Sequence, residues 1–212
     1  MRSFHINAIL KNHRGLSLHS KPLLFNPMIS HFAELHLSTL SPAGVRQVYH
    51  ECLGFDVLTE TEEEIRIQIT PHTVFHFTRS SEPIRPAHLA FEVRHSKWQA
   101  TRDLIEHAHV PLDGDIETEE THQRYFEDGD GNLLEVYSHS YVNEGVIEPQ
   151  NPMGVLYLRE VGFVVSDLAG FYDWLEDVFQ TVHTKGVRDG EIPPRCPFGR
   201  AISSRPGLLS HS

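Results

Sequence analysis

The chain repeats one order of predicted strands and helices. From Ile29 a strand is followed by a helix, which begins near Pro42 and ends at Gly54, and then by three strands up to about residue 78. Proline suits the first turn of a helix and glycine suits its end. The same order restarts at about residue 88 and ends at about residue 138. Because one small sheet with one helix cannot bury its own apolar face, the repeat predicts an α+β fold of two βαβββ modules packed together.

Prolines and the loss of periodicity predict the domain boundaries. The two modules are expected at 28–82 and 83–141, divided by the proline-containing stretch 80–86, since proline cannot donate to a strand ladder. The flanking segments are interpreted as a disordered leader at 1–27, a linker at 142–153, an incomplete third module at 154–185 and a disordered or aberrant tail at 186–212. The leader has no acidic residue, so an organelle-targeting segment is an alternative for it.

Composition excludes several classes of protein. A formal net charge of -11 disfavours binding to nucleic acid, since a phosphate backbone attracts basic surfaces. No apolar run is long enough for a membrane span, and the N-terminus lacks the pattern of a secretory signal, so a cytoplasmic location is predicted. Cys52 and Cys196 are far apart and indicate neither a disulfide framework nor a thiolate metal site. Any metal would therefore be held by nitrogen and oxygen.

Four polar side chains occupy corresponding places in the two modules. Glu34 lies on the first strand and His76 on the last strand of the first module, and His88 and Glu135 lie on the same strands of the second. The alternation of apolar and polar residues places each on the inward face of its strand. A carboxylate within an apolar strand, such as Glu135, is costly to bury without a cation or a hydrogen-bond partner. Two carboxylates and two imidazoles facing one cavity predict a site for a divalent cation.

Two features of the sequence have competing interpretations. His36 follows Glu34 on the same strand face, so either residue could supply the first-strand ligand. The run 128–132 (DGDGN) has some likeness to a calcium-binding loop, but Leu133 stands where that loop has its sixth-position glycine. A tight hairpin turn is therefore the prediction for this run.

Residues 48–55, 88–93 and 126–137 resemble the vicinal oxygen chelate superfamily, and the resemblance extends over about residues 29–140. That superfamily includes glyoxalase I, bleomycin-resistance proteins, fosfomycin-resistance enzymes and extradiol dioxygenases. The resemblance implies paired modules that form a U-shaped sheet around a cleft, with metal ligands on the first and last strands of each module. The positions that match are His88, Glu135, His76 and Glu34, and the last departs from the commoner His or Gln.

The resemblance implies a metal-dependent enzyme that acts on a small molecule with two adjacent oxygens. Imidazole and carboxylate ligands suit Zn, Ni, Co, Mn or Fe(II). The metal would act as a Lewis acid in a lyase- or isomerase-like proton transfer. Glu135 is the first candidate for moving the proton, and Glu34 is its counterpart in the other module.

Two other functions stay open at this point. In an Fe(II) extradiol dioxygenase only His76, His88 and Glu135 would hold the metal, Tyr125 would contact the substrate, and His122 would be a candidate acid or base. A metal-free binding protein of the bleomycin-resistance type would hold a small ligand in the cleft. The sequence also leaves a homodimer open.

Overall fold

Strands dominate the described part of the chain, and a helix connects the first two strands of each module. The structure is a computed structural model that describes residues 8–10, 31–145, 147–165, 167, 169–171, 173–174 and 201–203. The helices are α1, an α-helical turn at Pro42–Val45 continued as a π-helix over Arg46–Cys52, and α2 (Trp98–His107), preceded by a 3-10 turn at His95–Lys97. The strands are β1 (Ala8–Leu10), β2 (Phe32–Thr39), β3 (Asp56–Glu60), β4 (Glu64–Thr70), β5 (Thr73–Arg79), β6 (Ala87–Val93), β7 (Leu112–Glu117), β8 (Thr121–Glu127), β9 (Leu133–His139), β10 (Val155–Val165) and β11 (Ala201–Ser203).

The predicted repeat is confirmed by the order of strands within each module. The first module contributes β2-β5-β4-β3 and the second contributes β6-β9-β8-β7. In both, the first and last strands are parallel neighbours and the other pairs are antiparallel. The first and last strands of a module can be parallel because a helix follows the first strand and reverses the direction of the chain before the remaining strands begin. The fold is therefore α+β, with βαβββ modules.

Each module keeps a sheet of its own among the described residues. The first sheet is β1-β2-β5-β4-β3, and the second is β11-β10-β6-β9-β8-β7. Strand β1 pairs antiparallel with β2, and β10 pairs antiparallel with β6. The paired βαβββ modules of the predicted fold are therefore both present, each with its own hydrogen-bonded sheet in the described part of the chain.

Alternate residues of the strands build one apolar core. Phe75 and Phe77 of β5 are fully buried, and Phe91 of β6 is almost so. The ring centroids of Phe75 and Phe91 are 6.0 Å apart, and those of Phe55 and Phe91 are 6.4 Å apart, so aromatic contacts join the two modules. Since side chains alternate across a strand, the polar residues between these apolar ones lie on the opposite faces.

The predicted helix in the first module has the expected ends. The Ser41 hydroxyl accepts a hydrogen bond of 3.1 Å from the Gly44 N–H, and Pro42 follows in the first turn. Gly54 comes after the helix with φ of +75°, in the left-handed region that glycine adopts readily. A Cβ atom at this position would lie 2.6 Å from Cγ of Pro152. Both the left-handed backbone and the lack of room for a Cβ atom therefore require glycine at position 54.

Substitution Gly54→Ala is expected to destabilise the protein by about 3 kcal/mol. About 1–2 kcal/mol comes from the left-handed backbone, and the remainder comes from the overlap with Pro152. Urea denaturation measures the loss. In the background Pro152→Ala the overlap is relieved but the backbone strain stays, so Gly54→Ala should then cost about half as much. Equal costs in the two backgrounds would contradict a steric role for Pro152.

The run 128–132 forms a turn between β8 and β9, as predicted. The Gly131 N–H donates to the Asp128 carbonyl over 3.1 Å, and Gly131 has φ of +79°. The Asp128 side chain accepts hydrogen bonds from the Tyr49 hydroxyl (2.9 Å) and from the Asn132 side chain (2.8 Å). Asn132 Oδ1 in turn accepts the Ala87 N–H at 2.8 Å. The turn thus connects α1 of the first module to the start of β6 in the second.

Parts of the terminal segments belong to the sheets. Residues 8–10 of the predicted leader form β1, and residues 201–203 of the predicted tail form β11, which is parallel to β10. The opening strand of the predicted third module is β10, and residues 169–171 and 173–174 are helical. The other residues of these segments lie outside the described part of the chain. Within the described part, no helix has both the length and the apolar character needed to cross a membrane.

Candidate functional site

A cluster of two histidines and a glutamate lies on the polar face of the first sheet. Glu34 and His36 come from β2 and His76 comes from β5, where His36 and His76 are direct neighbours in the parallel ladder. Phe75 and Phe77 on either side of His76 point into the core, so His76 faces the other way. We call Glu34, His36 and His76 the first-module cluster.

The side chains of the first-module cluster are close enough together to hold a metal ion. Nε2 of His36 is 3.7 Å and Nδ1 of His76 is 3.8 Å from the same carboxylate oxygen, Glu34 Oε1. One potential ligand atom from each residue lies within 4.8 Å of the other two. Bonds of about 2.1 Å to one ion keep ligand atoms within about 4 Å of each other, so small side-chain rotations would bring all three into place. The sequence left Glu34 and His36 as alternatives, and the structure places both beside His76.

Two further side chains contact this cluster. Glu64 Oε2 is 2.9 Å from Nε2 of His76, so it can accept that N–H and leave Nδ1 as the nitrogen free to bind a metal. Arg66 donates to Glu34 Oε1 over 3.2 Å. Neither residue was among those predicted from the sequence. The signal was the alternation of β4, which places Glu64 and Arg66 on one face, but the register of β4 against β5 could not be read from it.

The second predicted pair is formed as well. Nε2 of His88 on β6 lies 2.9 Å from Oε2 of Glu135 on β9. The Glu135 side chain is only 1% exposed and that of His88 11%. The other oxygen, Glu135 Oε1, is buried without a hydrogen-bond partner among the described residues. A buried unpaired carboxylate oxygen is costly, so this pair also fits a cation.

Two tyrosines lie on the same face as Glu135. Tyr125 on β8 is its direct neighbour in the ladder, and Tyr137 lies two residues further along β9. Burial raises the pKa of Tyr137, and the nearby Glu135 and Glu160 carboxylates raise it further, so its hydroxyl stays protonated. His122 lies on the other face of β8, stacked on Trp98 of α2 with ring centroids 5.2 Å apart. The proposed acid or base role of His122 therefore does not fit its position.

The sheet face that carries Glu135 and Tyr137 also carries a buried ionic network. Glu92 is fully buried, and its carboxylate lies 2.9 Å from Nδ1 of His139 and 2.6 Å from the guanidinium of Arg159. The guanidinium also lies 5.1 Å from the centre of the Tyr137 ring. This network could not be predicted because Arg159 comes from β10, whose partner strand could not be identified from the sequence.

The four predicted ligands form two separate pairs. Among the described residues, the first-module cluster is the only group of three or more His, Cys, Asp or Glu side chains with ligand atoms this close together. It contains Glu34 and His76, whereas His88 and Glu135 pair with each other on the second sheet. In the described part of the chain, the potential ligand atoms of all four residues are therefore not within 4.8 Å of one another.

Comparison with solved structures shows similarity over about half of the chain. A glyoxalase/bleomycin resistance protein/dioxygenase from Alicyclobacillus acidocaldarius is 15% identical with a TM-score of 0.45, covering 52% of this chain and 92% of that chain. A glyoxalase/dioxygenase from Nostoc punctiforme is 18% identical (TM-score 0.43; 59% and 99% covered). A fosfomycin resistance protein from Listeria monocytogenes is 15% identical (TM-score 0.46; 54% and 97% covered).

The sequence comparison identifies the family. No curated protein sequence matches the chain. The sequence profile of the Glyoxalase/Bleomycin resistance protein/Dioxygenase superfamily matches residues 29–136, which include most of both modules and all four predicted ligands. On this match over half of its length, the chain belongs to the Glyoxalase/Bleomycin resistance protein/Dioxygenase superfamily.

Proposed function

We propose that this protein is a divalent-metal-dependent enzyme that catalyses proton transfer on a small molecule with two adjacent oxygens. The observation that carries the proposal is the first-module cluster, where one carboxylate and two imidazoles bring their ligand atoms within 4.8 Å of one another. When bound there, a metal ion supplies Lewis acidity to the substrate oxygens. Three protein ligands leave coordination positions for those oxygens.

The residues around the cluster have complementary roles in this proposal. Glu34 would hold the metal, and its carboxylate is the candidate group for accepting the substrate proton. Glu64 orients the His76 ring through the contact at Nε2. Arg66 is 3.2 Å from Glu34 and its side chain is 36% exposed, so its N–H groups can reach a substrate oxygen on which negative charge develops. Glu135 and Tyr125 lie on the second sheet, and their catalytic roles remain predictions.

The composition of the cluster favours a second candidate function. Two imidazoles and one carboxylate with open positions are the ligand set of Fe(II) enzymes that activate oxygen. In this protein the set would be Glu34, His36 and His76 rather than the predicted His76, His88 and Glu135. Oxygen consumption by the Fe(II)-loaded protein with catechols, absent with Zn²⁺, would identify this chemistry.

The proposed function is tested with the purified full chain. After removal of metal by a chelator, the protein is reloaded separately with Zn, Ni, Co, Mn or Fe(II), and bound metal is counted. Small α-hydroxy carbonyl compounds and adducts of α-keto aldehydes with thiols are then incubated in D₂O, and hydrogen exchange at the carbon beside the carbonyl is followed by NMR. We expect exchange that depends on the metal.

The metal-free protein is the control, because it keeps every side chain but lacks the Lewis acid. Loss of exchange on metal removal and its return on reloading would support the proposal. A protein that takes up none of these metals and still binds small molecules would contradict it, and would instead be a binding protein of the resistance type.

A further inference from the structure

Arg66 places a guanidinium beside the first-module cluster. It lies on β4 as the direct ladder partner of His76 on β5, so the two side chains are on the same face of the sheet. Its Nη2 donates to Glu34 Oε1 over 3.2 Å. The same oxygen lies 3.7 Å from Nε2 of His36 and 3.8 Å from Nδ1 of His76. Arg66 therefore contacts the carboxylate oxygen that is placed to bind a metal together with the two imidazoles.

The Arg66 guanidinium is close enough to contact a small molecule bound to that metal. An ion about 2.1 Å from Glu34 Oε1 would lie within about 5 Å of Nη2 of Arg66, which is itself 3.2 Å from this oxygen. The Arg66 side chain is 36% exposed, so a molecule from solution can reach it. A ligand oxygen that projects from the ion on this side would come within hydrogen-bonding distance of the guanidinium.

Arg66 also has a donor that the described residues do not use. Its Nε–H is buried and has no hydrogen-bond partner among them. A buried donor without an acceptor costs free energy, so an acceptor from outside the chain would stabilise this side chain. The planar guanidinium donates parallel hydrogen bonds that match the two oxygens of a carboxylate. A carboxylate is therefore the ligand group that best fits Arg66.

The charges around the cluster favour an anion once a metal is bound. Glu34 and Glu64 are negative, Arg66 is positive, and both carboxylates lie within 4 Å of His76. Without a metal, these three charged groups have one net negative charge, and Arg66 compensates the charge of Glu34. A divalent ion would change the balance to one net positive charge and would itself compensate Glu34. Arg66 would then be available for a second carboxylate, supplied by the substrate.

We propose that the substrate is a carboxylate with a hydroxyl or carbonyl oxygen on the adjacent carbon, and that Arg66 selects it. This inference rests on the proposed function, because one carboxylate oxygen and the adjacent oxygen are the two that face the metal of the first-module cluster. The other carboxylate oxygen accepts hydrogen bonds from Arg66. A neutral molecule with the same pair of oxygens lacks the charge that Arg66 recognises, so Arg66 determines specificity for 2-hydroxy or 2-oxo carboxylates.

The test compares glycolate with glycolamide, which has nearly the same shape but no charge, as ligands of the Zn²⁺-loaded full chain. NMR titration measures both affinities in the wild type and in Arg66→Gln. We expect Arg66→Gln to weaken glycolate binding by at least about tenfold, the effect of losing one hydrogen bond to a charged group, and glycolamide binding by less than about threefold. Arg79→Gln changes an exposed arginine at the end of β5 and should alter neither affinity.

Zn²⁺ uptake shows whether each variant keeps the cluster intact. Arg66 is not a proposed ligand, so Arg66→Gln should bind one Zn²⁺ per chain, as the wild type does. If Arg66→Gln does not fold, Arg66→Lys provides the comparison, because it keeps the positive charge but lacks the planar pair of donors. Its affinity for glycolate should then fall while its affinity for glycolamide stays the same.

The two proposals fail in different ways. Equal effects of Arg66→Gln on glycolate and glycolamide, in a chain that still takes up Zn²⁺, would overturn the role of Arg66 and leave the proposed function standing. A wild-type chain that takes up no Zn²⁺ would contradict the proposed function and this inference with it. A selective loss of glycolate binding with unchanged Zn²⁺ uptake would support both.

Discussion

His76→Ala should remove one divalent metal ion per chain and abolish metal-dependent exchange of the substrate proton. His76 supplies Nδ1, which lies 3.8 Å from the Glu34 oxygen at the centre of the first-module cluster, and Glu64 orients the ring through Nε2. Without it the cluster has one imidazole and one carboxylate, too few to hold a transition metal firmly. We expect the affinity to fall by more than about 100-fold, which is beyond the usual effect of changing a supporting residue.

Two matched variants separate the ligand from its surroundings. Glu64→Gln keeps the His76 ring but weakens its orientation, so a loss of about 10–100-fold in affinity is expected. His72→Ala changes an exposed histidine outside the cluster and should have no effect on metal binding. Equilibrium dialysis with Co²⁺ measures all three affinities. If His76→Ala binds as many ions as the wild type, the cluster is not a metal centre.

Asp128→Ala should destabilise the protein by about 4 kcal/mol, the largest effect on stability that we expect. The carboxylate accepts hydrogen bonds from the Tyr49 hydroxyl, the Asn132 side chain and the backbone N–H groups of Asp130 and Asn132. Truncation to alanine leaves these donors buried or partly buried without their acceptor. Each hydrogen bond to a charged group contributes about 1.5–3 kcal/mol, and water that enters the turn restores part of the lost free energy. Urea denaturation monitored by tryptophan fluorescence measures the loss.

Tyr49→Phe is the control for this prediction because it removes one of the four donors and nothing else. Burial, and then the charge of Asp128, raises the pKa of Tyr49, so its hydroxyl is protonated and donates at neutral pH. The expected loss is about 1.5–3 kcal/mol. Should Asp128→Ala cost no more than Tyr49→Phe, the turn would not be the connection between the modules that the structure indicates.

The same turn shows why part of the fold was predictable. The run 128–132 contains two glycines and three residues that favour turns, and apolar alternation resumes directly after it at Leu133. Both signals are local, so the hairpin and its strands could be placed to within a residue or two. The contact of Asp128 with Tyr49, 79 residues earlier, has no local signal and emerged only from the packing of the modules.

The candidate site likewise has one part that could be predicted from the sequence and one part that could not. Alternation along β5 and β9 correctly placed His76 and Glu135 away from the apolar core, because the direction of a side chain on a strand depends only on the parity of its position. Whether His76 and Glu135 meet at one centre depends on how the two modules pack together, which the alternation along a strand does not show. In the described part of the chain, His76 lies beside Glu34 and His36 on the first sheet, and Glu135 lies beside His88 on the second.

The sequence alone determined the βαβββ modules and which strand residues face away from the core, since these follow from periodicities of two and 3.6 residues and from proline and glycine at the ends of the elements. Only the tertiary structure decided that His36 joins Glu34 and His76, that Glu64 and Arg66 contact them, and that Glu160 lies on the face of His88 and Glu135. Each of these contacts depends on the pairing and register of strands that are distant in sequence. The backbone hydrogen bonds that fix pairing are the same for every residue type, so the local sequence pattern does not reveal them.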